Sequence, residues 1–201
     1  MNLSRIGQTL FSHVRKGPSM TTEDSTTGIS CDAIAVLTTD HERIKLLFRE
    51  FARLDPVTPA MTQMELVREI WTELTIHAAV EEELFYPAVR KLINDDELIN
   101  KAEIEHGTMK YLLEQLRYVD SGDPHLRAKL NVLRECTQHH INDEESEMFP
   151  RVKQAKSDLL ILGQMIMDRK EALYIQLTEQ LLPPPPAAAR PDTASAGAGR
   201  Q

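Results

Sequence analysis

Two segments constrain this chain more than any other feature: HAAVEEELFYP at residues 77–87 and HINDEESEMFP at 140–150, 63 residues further on. Each begins with His, carries Glu four places later and closes on an aromatic residue followed by Pro. Each also lies in a run whose apolar residues recur at alternating steps of three and four, the spacing of a helix that turns one stripe to a core. His77 and Glu81 fall on that stripe, as do His140 and Glu144, and the i, i+4 step stacks each pair on one helix face. Burying a carboxylate without compensation costs several kcal/mol. A chain that does so twice is expected to supply cations.

The same periodicity predicts four helices. The first carries Ile34, Leu37, His41, Ile44, Phe48 and Phe51 and ends near LDPVTP at 54–59, where Thr58 and Pro59 read as cap and first position of the next. The second carries Val67, Ile70, Leu74, His77, Glu81, Leu84 and Ala88. The third carries Ile99, Ala102, His106, Met109, Leu113 and Leu116 and closes at Ser121 and Gly122. Asp123 and Pro124 restart the chain into a fourth, with Leu126, Leu130, Leu133, Thr137, His140, Glu144 and Met148 on its stripe. A fifth, rich in Leu, Ile and Met, packs across the bundle or contacts a second copy of the chain in a homo-oligomer.

No alternating strand pattern occurs, so the expected fold is all-α, an antiparallel up-down-up-down four-helix bundle with an additional C-terminal helix. The expected organisation is a flexible extension at 1–31, the bundle at 32–155, the C-terminal helix at 156–182 and a disordered Pro/Ala-rich tail at 183–201.

The net charge of −8, from 31 acidic and 23 basic residues, with no long basic block, argues against nucleic acid as a partner. No apolar run approaches the roughly 20 residues that span a bilayer, so no membrane association is expected. Cys31 and Cys136 form no CxxC pair, which argues against a disulfide scaffold or a thiolate zinc site and favours a cytoplasmic location.

Every one of the four helices places a histidine on its stripe: His41, His77, His106 and His140. His41 lies 15 residues before Pro56 and His77 lies 18 after Pro59; His106 lies 15 before Ser121 and His140 lies 16 after Pro124. Antiparallel helices rising about 1.5 Å per residue bring each pair to similar depth. With Glu81 and Glu144 they form one inward layer of four imidazoles and two carboxylates. Such a donor set suits iron, manganese or zinc better than calcium or magnesium. It exceeds what one four-coordinate ion needs, and two Glu side chains can bridge two ions. Ferritin-like dinuclear proteins use Glu-x-x-His; here His comes first and the step is four, which points away from them.

The order H…HxxxE…H…HxxxE, with DHERI around His41 and the two HxxxEE…P segments, resembles the hemerythrin-like HHE cation-binding domain over roughly residues 32–155. The resemblance implies a non-haem diiron site: two iron ions with an oxo or hydroxo bridge, ahead of manganese or zinc, held by His41, His77, Glu81, His106, His140 and Glu144. It implies a protein that binds or senses oxygen, nitric oxide or peroxide, or handles iron; the alternative is an enzyme degrading peroxide or nitric oxide. The small ligand is thus a diatomic molecule or peroxide. Oxygen-carrying hemerythrins have a further histidine one turn after that of the third helix, where this chain has Lys110, so the chain is closer to the broader bacterial set. The lone Cys31 does not match the cysteine-bearing module of related iron-sulfur-cluster repair proteins.

Around these positions, His139, Asp143, Asp40, Glu105, Glu82 and Glu83 read as solvated, with Glu82 the one placed to orient a ligand. Ile44, Leu74, Met109 and Leu133 form apolar walls, Cys136 packs, and Phe85, Tyr86 and Tyr111 line the core. Pro87 and Pro150 each remove a backbone donor and predict a kink or helix end.

Overall fold

Asp32 opens the first helix by accepting the Ala35 amide at 2.8 Å, satisfying one of the donors that a helix start leaves free. That helix, α1, spans Ala33–Ala52. In this computed structural model, which describes residues 32–55, 57–155 and 158–181, α2 (Ala60–Val80) passes through a five-residue π-helical segment (Glu81–Phe85) into α3 (Tyr86–Ile93). Asn94, in the left-handed conformation at φ 50°, ends α3. Asp95 then accepts the Leu98 amide at 3.1 Å and opens α4 (Asp96–Arg117). α5 (Leu126–Asp143) repeats the theme, running through a second π-helical segment (Glu144–Met148) into α6 (Phe149–Gln154), and α7 spans Leu160–Leu181. Among the described residues there is no strand, and no helix is long and apolar enough to cross a membrane. The expected extension at 1–31, Cys31 and the tail at 183–201 lie outside the described residues.

Several helix ends differ from expectation. α2 starts at Ala60, and the Thr58 side chain does not cap it; instead the Thr58 carbonyl accepts the Gln63 side-chain amide at 2.8 Å. α4 stops at Arg117, short of Ser121. The loop beyond closes on Asp120, whose side chain takes the Gly122 amide at 2.7 Å, and on Asp123, which takes the His125 amide at 2.8 Å.

The prolines do not end their helices. In each π segment the amide before proline reaches five residues back, from Tyr86 to the Glu81 carbonyl and from Phe149 to the Glu144 carbonyl. The missing proline donor therefore falls where the hydrogen-bond ladder is already changing register. The extra residue in the turn also rotates the buried face by one place. Leu84 and Ala88, expected on the stripe, are only half-buried, whereas Phe85, Tyr86 and Val89 are fully buried.

Two apolar clusters form the core. One gathers Ile34, Leu37, Val80, Phe85, Val89, Ile99, Met148 and Val152; the other gathers Ile44, Phe48, Val67, Leu74, Met109, Leu116, Leu130 and Leu133. α1 and α4 enter the first cluster and leave through the second; α2 starts in the second and ends in the first, and α5 starts in the second and reaches the first through the π segment that follows it. His41, His77 and His106 lie between the two, and His140 lies near the end of α5 beside Ile141 of the second cluster. Each fully buried Leu, Ile or Phe contributes roughly 1.5–3 kcal/mol, so the polar layer is flanked on both sides by favourable burial. α7 packs on α1 and α2, with no counterpart against α4 or α5 of comparable extent.

Candidate metal centre

His41, His77, Glu81, His106, His140 and Glu144 are all brought together, and none is more than 2% exposed. Their facing atoms fall into two groups. His41, His77, Glu81 and Glu144 each offer one ligand atom within 4.8 Å of the others, and so do Glu81, His106 and His140. Glu81 belongs to both groups. Glu144 also approaches both sides, with Oε2 3.2 Å from His41 Nε2 and 3.6 Å from His140 Nε2. The i, i+4 step sets His77 Nε2 3.3 Å from Glu81 Oε2, and His106 Nε2 lies 3.0 Å from His140 Nε2.

Apart from the paired Nε2 atoms of His106 and His140, these atoms crowd together without hydrogen bonds to one another. His41 Nε2, His77 Nε2, Glu81 Oε1 and Glu144 Oε2 are buried and have no hydrogen-bond partner. An unsatisfied buried polar atom costs about 1–3 kcal/mol, and here four converge on one point. Four imidazoles and two carboxylates aimed inward fit divalent transition-metal ions, whose bonds would satisfy those atoms.

The charge balance is consistent with this. Burial pushes the His140 imidazole down, but Glu144, Glu105 and Glu81 outweigh it and hold its pKa up to about 10. His41 is raised against burial chiefly by Glu144, and His106 chiefly by Glu81 and Glu82. Burial pushes Glu81 upward, yet His77 and the other imidazoles hold it well below the usual carboxylate range.

Sequence reasoning placed Asp40 and Glu105 in solvent, which the structure corrects, offered Glu82 as one that could orient a ligand, and did not single out Glu145. Glu145 accepts from His41 Nδ1 at 2.9 Å, Glu82 from His106 Nδ1 at 3.0 Å and Glu105 from His140 Nδ1 at 3.0 Å. Asp40 is buried, with Oδ2 3.8 Å from His77 Nδ1. A carboxylate on the far ring nitrogen fixes the tautomer that leaves Nε2 free to face a metal. His139 and Glu83 are exposed, as expected. Lys110 lies on the outside and holds both Glu82 oxygens at 2.8 Å.

Tyr86 is the residue that sequence reasoning undervalued. Its hydroxyl lies 3.0 Å from Glu144 Oε1, 3.3 Å from Glu81 Oε2 and 3.1 Å from His106 Nε2. Burial and the adjacent Glu144 and Glu81 raise its pKa well above the usual phenol value, so it stays protonated. Phe149, 63 residues on, occupies the matching place in the second repeat and stacks on His41 with ring centroids 5.6 Å apart. The aromatic before proline in both opening segments was the available signal. Tyr111, expected in the core, is 69% exposed. Ile44, Leu74, Met109 and Leu133 are buried.

Comparison with known proteins agrees with this geometry. A protein of Nostoc sp. described as a DNA nickase is 30% identical over 118 residues, 59% of this chain but 32% of that protein, so the chain spans about a third of its length. The crystal structure of a hemerythrin HHE cation binding domain-containing protein from Mycobacterium kansasii is similar with a TM-score of 0.64 at 28% identity, covering 75% of this chain and 91% of that one. Residues 32–152 match the family described as Hemerythrin HHE cation binding domain. With its paired His and Glu donors between two apolar clusters, the chain belongs to the hemerythrin HHE cation-binding domain family.

Proposed function

We propose that this chain is a non-haem diiron protein in which His41, His77, Glu81, His106, His140 and Glu144 hold two iron ions within an up-down-up-down four-helix bundle. The observation that carries this reading is the pair of donor groups joined through Glu81, with buried, partnerless ligand atoms facing one another. The alternate order in which the helices cross the two apolar clusters supports the bundle topology.

Bound iron supplies reversible electron exchange with oxygen, nitric oxide or peroxide, and we read the protein as one that binds or senses such a ligand in the cytoplasm. The protein's own part is to aim and shield. Glu145, Glu82, Glu105 and Asp40 orient the imidazoles, and the walls from Ile44, Leu74, Met109 and Leu133 limit water. Lys110, facing outward, adds no ligand atom beside His106. Exposed Ile161, Met165 and Ile175 on α7 support contact with a second copy. The acidic net charge supports no role for nucleic acid.

Tyr86 favours the enzymatic alternative, degradation of peroxide or nitric oxide, because its neutral phenol lies beside both carboxylates as a hydrogen-bond donor inside the centre. Aerobic and anaerobic absorption spectra of iron-loaded protein, with steady-state consumption of peroxide and nitric oxide, test the two readings. Stoichiometric ligand binding supports the first and continuous turnover the second. The absence of any iron-dependent spectral change with all three ligands contradicts both.

A further inference from the structure

Three histidines of the centre are hydrogen-bonded to a carboxylate and the fourth, His77, has one 3.8 Å away, and each of those carboxylates has a lysine within ion-pair distance. Lys45 Nζ lies 3.0 Å from Glu145 Oε1, the same oxygen that faces His41 Nδ1. Lys110 holds Glu82, which faces His106, and Lys101 Nζ lies 3.8 Å from Glu105, which faces His140. The fourth chain runs from Lys170 to Asp40 Oδ1, and from Asp40 Oδ2 to His77.

The internal repeat accounts for three of these lysines. Lys45 and Lys110 each follow their helix's histidine by four residues, and Lys101 precedes Glu105 by four. The position four before Asp40 is Val36, an apolar residue packed in the first cluster. The first repeat thus lacks one lysine of the pattern. The missing cation arrives from α7, which lies beyond the matched residues 32–152 and packs on α1 and α2, the half where the lysine is absent. Whereas Lys101 is 51% exposed, Lys170 is 24% exposed and Asp40 8%.

We propose that α7 is a working part of the metal centre, in which Lys170 is a positioning residue that holds Asp40 against His77 in place of the lysine the first repeat lacks at position 36. This rests on the reading of the six residues as ligands. Asp40 without Lys170 is a buried carboxylate with no lysine or arginine ion-pair partner among the described residues. It then turns toward solvent, and the His77 ring loses the carboxylate that lies 3.8 Å from Nδ1 and biases its orientation.

The test compares full-length wild type with Lys170→Met, Lys170→Arg and Arg169→Met. Arg169 is the neutral comparison, because it pairs with Glu83, which faces none of the four histidines. Zinc(II) affinity is measured by competition with a chromophoric chelator, and ligand geometry by the visible spectrum of the cobalt(II)-loaded protein. Lys170→Met is expected to weaken zinc binding about tenfold, the lower end for loss of a partner outside the ligands, and to shift the cobalt bands. Lys170→Arg restores both, and Arg169→Met leaves both unchanged. Where Lys170→Met lowers helix content, Lys170→Gln, which keeps a donor but no charge, carries the same comparison.

Wild-type affinity and spectrum in Lys170→Met, or in Lys170→Gln where that variant is used, overturn the inference, and so does an equal loss in Arg169→Met, which would make α7 a packing element alone. Wild-type protein that takes up no cation overturns the reading of the centre itself, and this inference with it.

Discussion

Replacing Glu144 with Gln keeps the shape of the side chain and removes one negative charge from the centre. It acts on His41 and on His140, in each of which burial disfavours the imidazolium and Glu144 does most to hold it. The rise at His140 from 6.5 to about 10 corresponds to roughly 5 kcal/mol of preference for the charged form, shared among Glu144, Glu105 and Glu81. His140 keeps Glu105 at 3.0 Å in the variant, so the loss is smaller than the 3–5 kcal/mol of an outright broken buried pair. We expect about 2–3 kcal/mol at pH 6 in chelator-treated protein, and a Tm lower by roughly 4–12 °C.

The direction with pH follows from the raised pKa: this stability is complete below 6.5 and is lost as pH rises through about 10. Wild type and Glu144→Gln should therefore converge in strongly alkaline buffer. Urea unfolding at pH 6 and above pH 10 gives the two differences, and NMR titration of the His140 ring gives the pKa directly. A wild-type His140 that titrates near 6.5, or a Glu144→Gln variant as stable as wild type at pH 6, would refute the reasoning.

The same electrostatics give further expectations. Cations displace protons from His41, His106 and His140, all raised, so zinc binding should release protons and tighten with pH; calorimetry in two buffers of different ionisation heat measures this, and no proton release contradicts it. Glu81, held well below 4.5, contributes stability that is present above 4.5 and lost as pH falls through its lower folded value. Metal-free stability should accordingly be greatest between about 4.5 and 6.5, and a maximum near pH 9 in urea unfolding would contradict this. Tyr86→Phe removes the hydroxyl donor to Glu144 Oε1 and should cost about 1–2 kcal/mol without loss of helix content, since Phe149 already occupies the matching place in the second repeat. Denaturant titration checks the cost and circular dichroism the fold.

The buried faces of α1, α4 and α5 were legible because one period runs unbroken along each: Ile99, Ala102, His106, Met109, Leu113 and Leu116 are buried as spacing predicts. The six polar stripe positions stood out for the same reason, as residues a core otherwise excludes. Asp40 and Glu105 were misread because a residue next to a stripe histidine points about 100° round its own helix. That direction is solvent for an isolated helix and a neighbouring imidazole in a packed one. Tyr86 was read as core and is buried, but its contact with Glu81 and Glu144 was hidden by the π segment: five residues past Glu81 is off that face in an α-helix and on it in a π turn. No period in the sequence announces that change, and Pro87 suggests a break instead. Lys170 lies on a different helix from everything it serves, so sequence spacing has no access to it.

Metal content per chain tests the central claim most directly. Protein loaded anaerobically with excess ferrous iron, desalted and assayed for iron should hold two ions per chain, and a variant carrying both His77→Ala and Glu81→Ala should hold none tightly, because Glu81 belongs to both donor groups. Folded wild type that retains no iron, or a double variant that retains two, would contradict the account.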